Sequence, residues 1–120
     1  MKKILIVDDE PNIVMTLEYT FKKSNYEVFI ARDGQEALDI LKTNFPDVII
    51  LDIMMPMVDG FATLEQIRKD ANLQHTKVMF LSAKNKESDI EKGIALGADA
   101  YMTKPFSIKK VVEKVEELLS

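Results

Sequence analysis

The chain has 120 residues, enough for one domain with a proper hydrophobic core. Its residues are 47% hydrophobic and 30% charged, as in an ordinary globular protein, and with no cysteine it has neither disulfides nor thiol chemistry. A net charge of −4 and a pI near 5.0 give no electrostatic case for nucleic acid or an anionic membrane as a direct partner, and no apolar run approaches the roughly 20 residues of a membrane span.

Met1-Lys2-Lys3 followed by Ile4-Leu5-Ile6-Val7 resembles the start of a signal peptide, but the apolar run ends at Asp8-Asp9-Glu10. A cytoplasmic protein is the default expectation. Ile4 to Val7 is better read as an inner strand, because a half-solvated strand would alternate. Pro11 suits the first turn of a helix with Asp9 or Glu10 near its cap, and Ile13, Leu17 and Phe21, with Val14 beside them, form its buried stripe. That helix should fade at Lys23-Ser24-Asn25. Tyr26 to Ala31 reads as a second strand, Asp33-Gly34 as a turn, and Glu36 to Lys42 as a helix ended by Phe45-Pro46.

The third strand, Val48-Ile49-Ile50-Leu51, is the centre of the chain and ends in Asp52. Pro56 and Asp59-Gly60 then mark a loop, so Asp52 should stand at the carboxyl end of a central strand, where open α/β sheets bind ligands. A helix over Phe61 to Asp70, a polar connection over Ala71 to Thr76, and a fourth strand, Val78 to Leu81, follow. A helix from about Lys86 to Leu96 stops at Gly97. Ala98 to Thr103 is a weaker fifth strand, suited to an edge and broken by Lys104-Pro105-Phe106. Ser107 can cap the last helix, whose stripe is Ile108, Val111, Val112, Val115, Leu118 and Leu119. Five alternating units in one domain, residues 1–120, predict a doubly wound five-stranded parallel sheet with five helices on its two faces.

A parallel sheet gathers its carboxyl ends at one edge. Asp8 and Asp9, Asp52, Ser82 and Lys104 should therefore converge in one shallow pocket. Each close carboxylate pair at about 4 Å costs on the order of 4 kcal/mol at an effective dielectric near 20. Lys104 alone does not neutralise three carboxylates, but a divalent cation does. All-oxygen donors without His or Cys favour Mg²⁺, with Mn²⁺ as the alternative, over zinc. A nucleophile, a metal, an ammonium and a hydroxyl are the equipment of phosphoryl transfer. Taken singly, Asp8 and Asp9 read equally well as helix caps, Ser82 as a turn residue, Lys104 as a solvated charge and Tyr101 as edge-strand packing. Their convergence is what points to chemistry.

The ordered motifs Ile4 to Glu10, Asp47 to Asp52 with Met55-Pro56 and Asp59-Gly60, Leu81-Ser82-Ala83, Gly97-Ala98-Asp99 and Tyr101 to Phe106 closely resemble those of the receiver domain of two-component response regulators, over essentially the whole chain. The resemblance implies the flavodoxin-like strand order 2-1-3-4-5. It implies that Asp52 is the phosphoacceptor, taking its phosphoryl group from the phosphohistidine of a sensor histidine kinase or a phosphotransfer protein. It further implies that Asp9 binds Mg²⁺ directly and Asp8 mainly through water, with Asp52 and the Met54 backbone carbonyl as further ligands. Lys104 and Ser82 would hold the phosphoryl oxygens, and Tyr101 would turn inward with Ser82, switching the face around the fourth and fifth helices. Met54 and Lys84, two positions after Asp52 and Ser82, would flank the water that hydrolyses the aspartyl phosphate. Neither offers it an acceptor, so a long-lived phosphorylated state is expected. Such a domain is a phosphoacceptor rather than an enzyme, acting on a downstream effector or a fused output domain. A phosphorelay shuttle remains open. A phosphohydrolase with an aspartyl nucleophile is disfavoured, because such families resemble Asp-x-Asp and the second position after Asp52 is Met54.

Overall fold

The computed structural model describes all 120 residues. In chain order the elements are β1 (Lys3–Val7), α1 (Pro11–Lys23), β2 (Glu27–Ala31), α2 (Gly34–Ile40), β3 (Val48–Leu51), α3 (Gly60–Lys69), a 3₁₀ turn (Ala71–Leu73), β4 (Lys77–Ser82), α4 (Glu87–Ala95), β5 (Ala100–Thr103) and α5 (Ile108–Leu119). The strands form one parallel sheet in the order β2-β1-β3-β4-β5. The three most apolar runs are central, as expected, and β5 is an edge. No helix is long and apolar enough to cross a membrane.

Alternation along the strands divides the core between the two faces. Leu5, Val7, Ile49, Leu51, Val78 and Phe80 pack with Ala37, Leu41, Leu64 and Ile67 under α2 and α3, while Leu96 and Ala98 bring the end of α4 to the same layer. Ile4, Ile6, Val48, Ile50, Met79 and Leu81 point the other way, onto Leu17 and Phe21 of α1 and Val111 and Val115 of α5. This explains why β1, β3 and β4 are continuously apolar: both faces are covered.

Element ends depart from the sequence reading where side chains intervene. The Asp33 carboxylate accepts the Glu36 N–H, and the Glu36 carboxylate accepts the Arg32 N–H. This reciprocal cap starts α2 at Gly34, and the helix ends at Ile40 rather than running to Lys42. Ala98 and Asp99 precede β5 instead of opening it, because the Asp99 carboxylate accepts the Val78 N–H and a donor from Arg68. Residues 71–76 contain the 3₁₀ turn, capped by Asp70. Ser107 caps α5 through the Lys110 N–H, as expected. Glu10 occupies the N-cap of α1, but its side chain makes no capping bond.

Candidate functional site

The carboxyl ends of β1, β3, β4 and β5 meet at one edge of the sheet. The ladder runs slightly past the regular strands to hold them there: the Asp8 N–H donates to the Ala31 carbonyl, Asp52 to Val7, and Lys104 to Ser82. Asp8, Asp52 and Ser82 are buried side by side at this edge. The chain leaves Asp52 through a tight loop in which the Gly60 N–H donates to the Ile53 carbonyl at 2.9 Å. A Cβ on Gly60 would overlap the Asp52 carbonyl oxygen and the Ile53 Cα, so only glycine lets α3 begin this close to Asp52.

One ammonium holds three carboxylates. Lys104 Nζ lies 2.9 Å from Asp8 Oδ2, 3.1 Å from Glu10 Oε1 and 3.3 Å from Asp52 Oδ2. Carboxylate oxygens of Asp8, Glu10 and Asp52 all fall within 4.8 Å of one another. The remaining oxygens of the two aspartates are used locally: Asp52 Oδ1 accepts the Ile53 N–H and Asp8 Oδ1 accepts the Glu10 N–H. Burial pushes the Asp8 carboxyl above its ordinary pKa, and the Asp52 charge adds to this; the Glu10 N–H and Lys104 offset only part of the rise. Burial pulls Lys104 down, but its bonds to Asp8 and Glu10 and the charges of Asp52 and Asp8 outweigh it. Its pKa therefore stands above the ordinary lysine value.

The Ser82 hydroxyl accepts the Lys84 N–H at 3.2 Å, and the Tyr101 hydroxyl donates to the Lys84 carbonyl at 2.6 Å. One residue's backbone thus ties the end of β4 to the aromatic of β5. Tyr101 also packs on Phe80, with ring centres 5.7 Å apart, and burial first, then the charges of Asp89 and Asp52, raise its pKa. Met54 is exposed in the loop after Asp52, and Lys84 is half-buried.

The sequence-predicted Asp8, Asp52, Ser82 and Lys104 are brought together at this edge. Asp9 lies beside the cluster but outside the group of mutually close carboxylates, and it is exposed. Glu10, read from sequence only as part of the helix cap, takes the third place. The second omission is the Lys84 backbone, whose part in joining Ser82 and Tyr101 has no signature in residue type.

The donor set suits a hard divalent cation: every ligand on offer is oxygen, and three close carboxylates face one ammonium. Residues 4–116 match the family described as the response regulator receiver domain. The chain is 45% identical over 118 residues to the alkaline phosphatase synthesis transcriptional regulatory protein PhoP of Bacillus subtilis; the match takes in 98% of this chain but 48% of that protein, so the chain spans about half its relative's length. Among solved structures, the receiver domain of the Francisella response regulator 1452 superposes with a TM-score of 0.91 at 36% identity, covering 99% of this chain and 97% of that one. The chemotaxis response regulator CheY4 of Vibrio cholerae superposes with a TM-score of 0.93 at 31% identity, covering 99% of both chains. With its acidic cluster closed by a lysine at the strand ends of a 2-1-3-4-5 sheet, the chain belongs to the receiver-domain family of two-component response regulators.

Proposed function

We propose that Asp52 accepts a phosphoryl group from the phosphohistidine of a sensor histidine kinase or phosphotransfer protein, and that the domain catalyses only its own phosphorylation and dephosphorylation. The observation that carries this is the convergence of Asp8, Glu10 and Asp52 on Lys104 in a receiver-family fold. Asp52 Oδ1 is engaged by the Ile53 N–H, which leaves Oδ2, held by Lys104, as the oxygen that bonds to phosphorus. Lys104 then passes from the carboxylate to the incoming phosphoryl oxygens, where its charge stabilises the transferring group. Ser82 gives up the Lys84 N–H and donates its own hydroxyl to the phosphoryl group. Tyr101, tied to the same residue, follows.

Asp8, Asp9, Asp52 and the Met54 backbone carbonyl would hold Mg²⁺ or Mn²⁺, with Glu10 adjacent, and the cation would supply charge neutralisation of the phosphoryl oxygens. Asp9, which is exposed next to Asp8 in the chain, would turn toward the cluster to do so. The readout is a change in the face formed by α4, β5 and α5, a two-state element biased by one phosphoryl group. The downstream partner is an output module, on the same polypeptide or bound to it. Kinship with a transcriptional regulatory protein favours gene expression as the output, although a domain of net charge −4 is not itself the nucleic-acid contact. The cytoplasm is the setting that fits this chemistry.

The test is intact-mass analysis after incubation with phosphoramidate and Mg²⁺. A single acid-stable, base-labile phosphoryl adduct is expected on the unmutated chain and none on Asp52→Asn. Full labelling of Asp52→Asn would refute the assignment. Amide exchange with beryllofluoride should change in α4, β5 and α5, and a change confined to the pocket loops would refute the switch.

A further inference from the structure

Next to the acidic cluster the surface opens into a pocket of about 490 Å³ lined by Glu10, Ile13, Ala83, Lys104, Pro105 and Phe106. Two of these residues, Glu10 and Lys104, belong to the cluster itself, so the pocket is continuous with the place where a phosphoryl group would sit. The rest of the wall is hydrocarbon. Ile13 and Phe106 are half-buried and pack against the core layer under α1 and α5, which fixes them from behind. The bond from the Lys104 N–H to the Ser82 carbonyl ties the Lys104-to-Phe106 segment to the Ala83 side, so the two walls keep their spacing.

We propose that this pocket receives the hydrocarbon of a small acyl phosphate donor, and that Ile13 and Phe106 make the domain prefer donors with a chain longer than acetyl. The proposal rests on Asp52 being the phosphoacceptor. In the step, an Asp52 carboxylate oxygen forms a bond to phosphorus. The bond from phosphorus to the acyl oxygen breaks, and its electron pair leaves with the carboxylic acid as its carboxylate; nothing is oxidised or reduced. In-line displacement sends that leaving oxygen away from Asp52, toward the open mouth where the pocket begins. The charges of Glu10 and Lys104 lie at the end near phosphorus, and the apolar wall lies beyond, the polarity order of an acyl phosphate read from phosphorus outward. An acetyl group fills only a small part of this volume, and each further methylene meets Ile13 or Phe106 instead of water.

The experiment compares rate constants for labelling of Asp52 by acetyl, propionyl and butyryl phosphate, each normalised to its uncatalysed hydrolysis, with phosphoramidate as the donor that carries no carbon. A rise of about two- to threefold per methylene is expected, somewhat below the fourfold of full burial because the pocket is open. Ile13→Ala and Phe106→Ala should flatten this series while leaving the phosphoramidate rate near that of the unmutated chain. If a substitution unfolds the domain, the series on the unmutated chain still decides. A flat or falling series with normal phosphoramidate labelling overturns the proposal. So does an equal loss toward phosphoimidazole in both variants without a chain-length effect, which would make the pocket a seat for the donor's imidazole. Failure of every donor to label Asp52 instead overturns the phosphoacceptor assignment itself.

Discussion

Asp52→Asn should stabilise the cation-free protein. The substitution keeps the shape of the side chain and an oxygen to accept the Ile53 N–H. It removes one of three carboxylates that lie within 4.8 Å of one another. At an effective dielectric near 20, each repulsion across that distance costs at least about 3.5 kcal/mol, so relieving those with Asp8 and Glu10 returns at least about 7. The lost attraction to Lys104 across 3.3 Å is about 5 kcal/mol on the same scale, which leaves a net gain of about 2 kcal/mol. Relief of the cost of burying the charge adds to the gain, and loss of the charge-assisted bond to Lys104 subtracts from it. Thermal unfolding in a chelator should show Tm raised by several degrees, about 4 °C per kcal/mol for a domain of this size. In saturating Mg²⁺ the advantage should shrink or reverse, because the variant has lost a ligand. A Tm at or below that of the unmutated chain in chelator would refute the claim that repulsion dominates this cluster.

Mg²⁺ itself should stabilise the unmutated chain by about 2.7 kcal/mol at 100 times Kd, and melts with and without the ion should coincide for Asp9→Ala if Asp9 is a ligand. Gly60→Ala should cost about 1–3 kcal/mol in denaturant unfolding and slow labelling of Asp52, since its Cβ drives into the Asp52 and Ile53 backbone. Tyr101 should titrate above the ordinary tyrosine range. The native state then keeps a proton that the unfolded chain has lost, so stability falls as pH rises through a window beginning near pH 10, and tyrosinate absorbance compared with Tyr101→Phe reads it. The combination of Met54→Asn with Lys84→Glu should release phosphate from the phosphorylated protein faster than the unmutated chain, by supplying the acceptors that Met54 and Lys84 lack. An equal rate would show that these positions do not limit hydrolysis.

The arrangement of the sheet was legible because burial on both faces leaves a plain mark. Ile4 to Val7, Val48 to Leu51 and Val78 to Leu81 are continuous apolar runs, and these are the three central strands. Asp8 and Asp52, which end two of these runs, were legible for the same reason: a charge directly after a buried strand is expensive unless it leaves the core there. Element ends set by side-chain bonds were less so. The limits of α2 and β5 depend on Asp33 with Glu36 and on Asp99 with Arg68, and these pairings turn on where carboxylates point rather than on periodicity.

The same difference explains why Glu10, and not Asp9, sits on Lys104. Three consecutive acids after β1 do not reveal which of them turn inward, because the strand's two-residue alternation stops where the chain must bend into α1. Asp8 settles it. Its carboxylate accepts the N–H of Glu10 two residues on, a local turn that substitutes for a side-chain cap on the helix. That turn leaves Asp9 exposed and brings Glu10 to within 3.1 Å of Lys104. Asp8 therefore acts twice, as a partner of the buried ammonium and as the bend that selects the third carboxylate. Asp8→Ala should then do more than remove one charge: freed from the turn, Glu10 should lose its hold on Lys104. The coupling of Glu10 to Lys104, from a double-mutant cycle of Glu10→Gln with Lys104→Met read in unfolding free energy, should be at least about 0.5 kcal/mol in the unmutated background and should vanish in the Asp8→Ala background. Undiminished coupling there would mean that Glu10 reaches Lys104 without the turn.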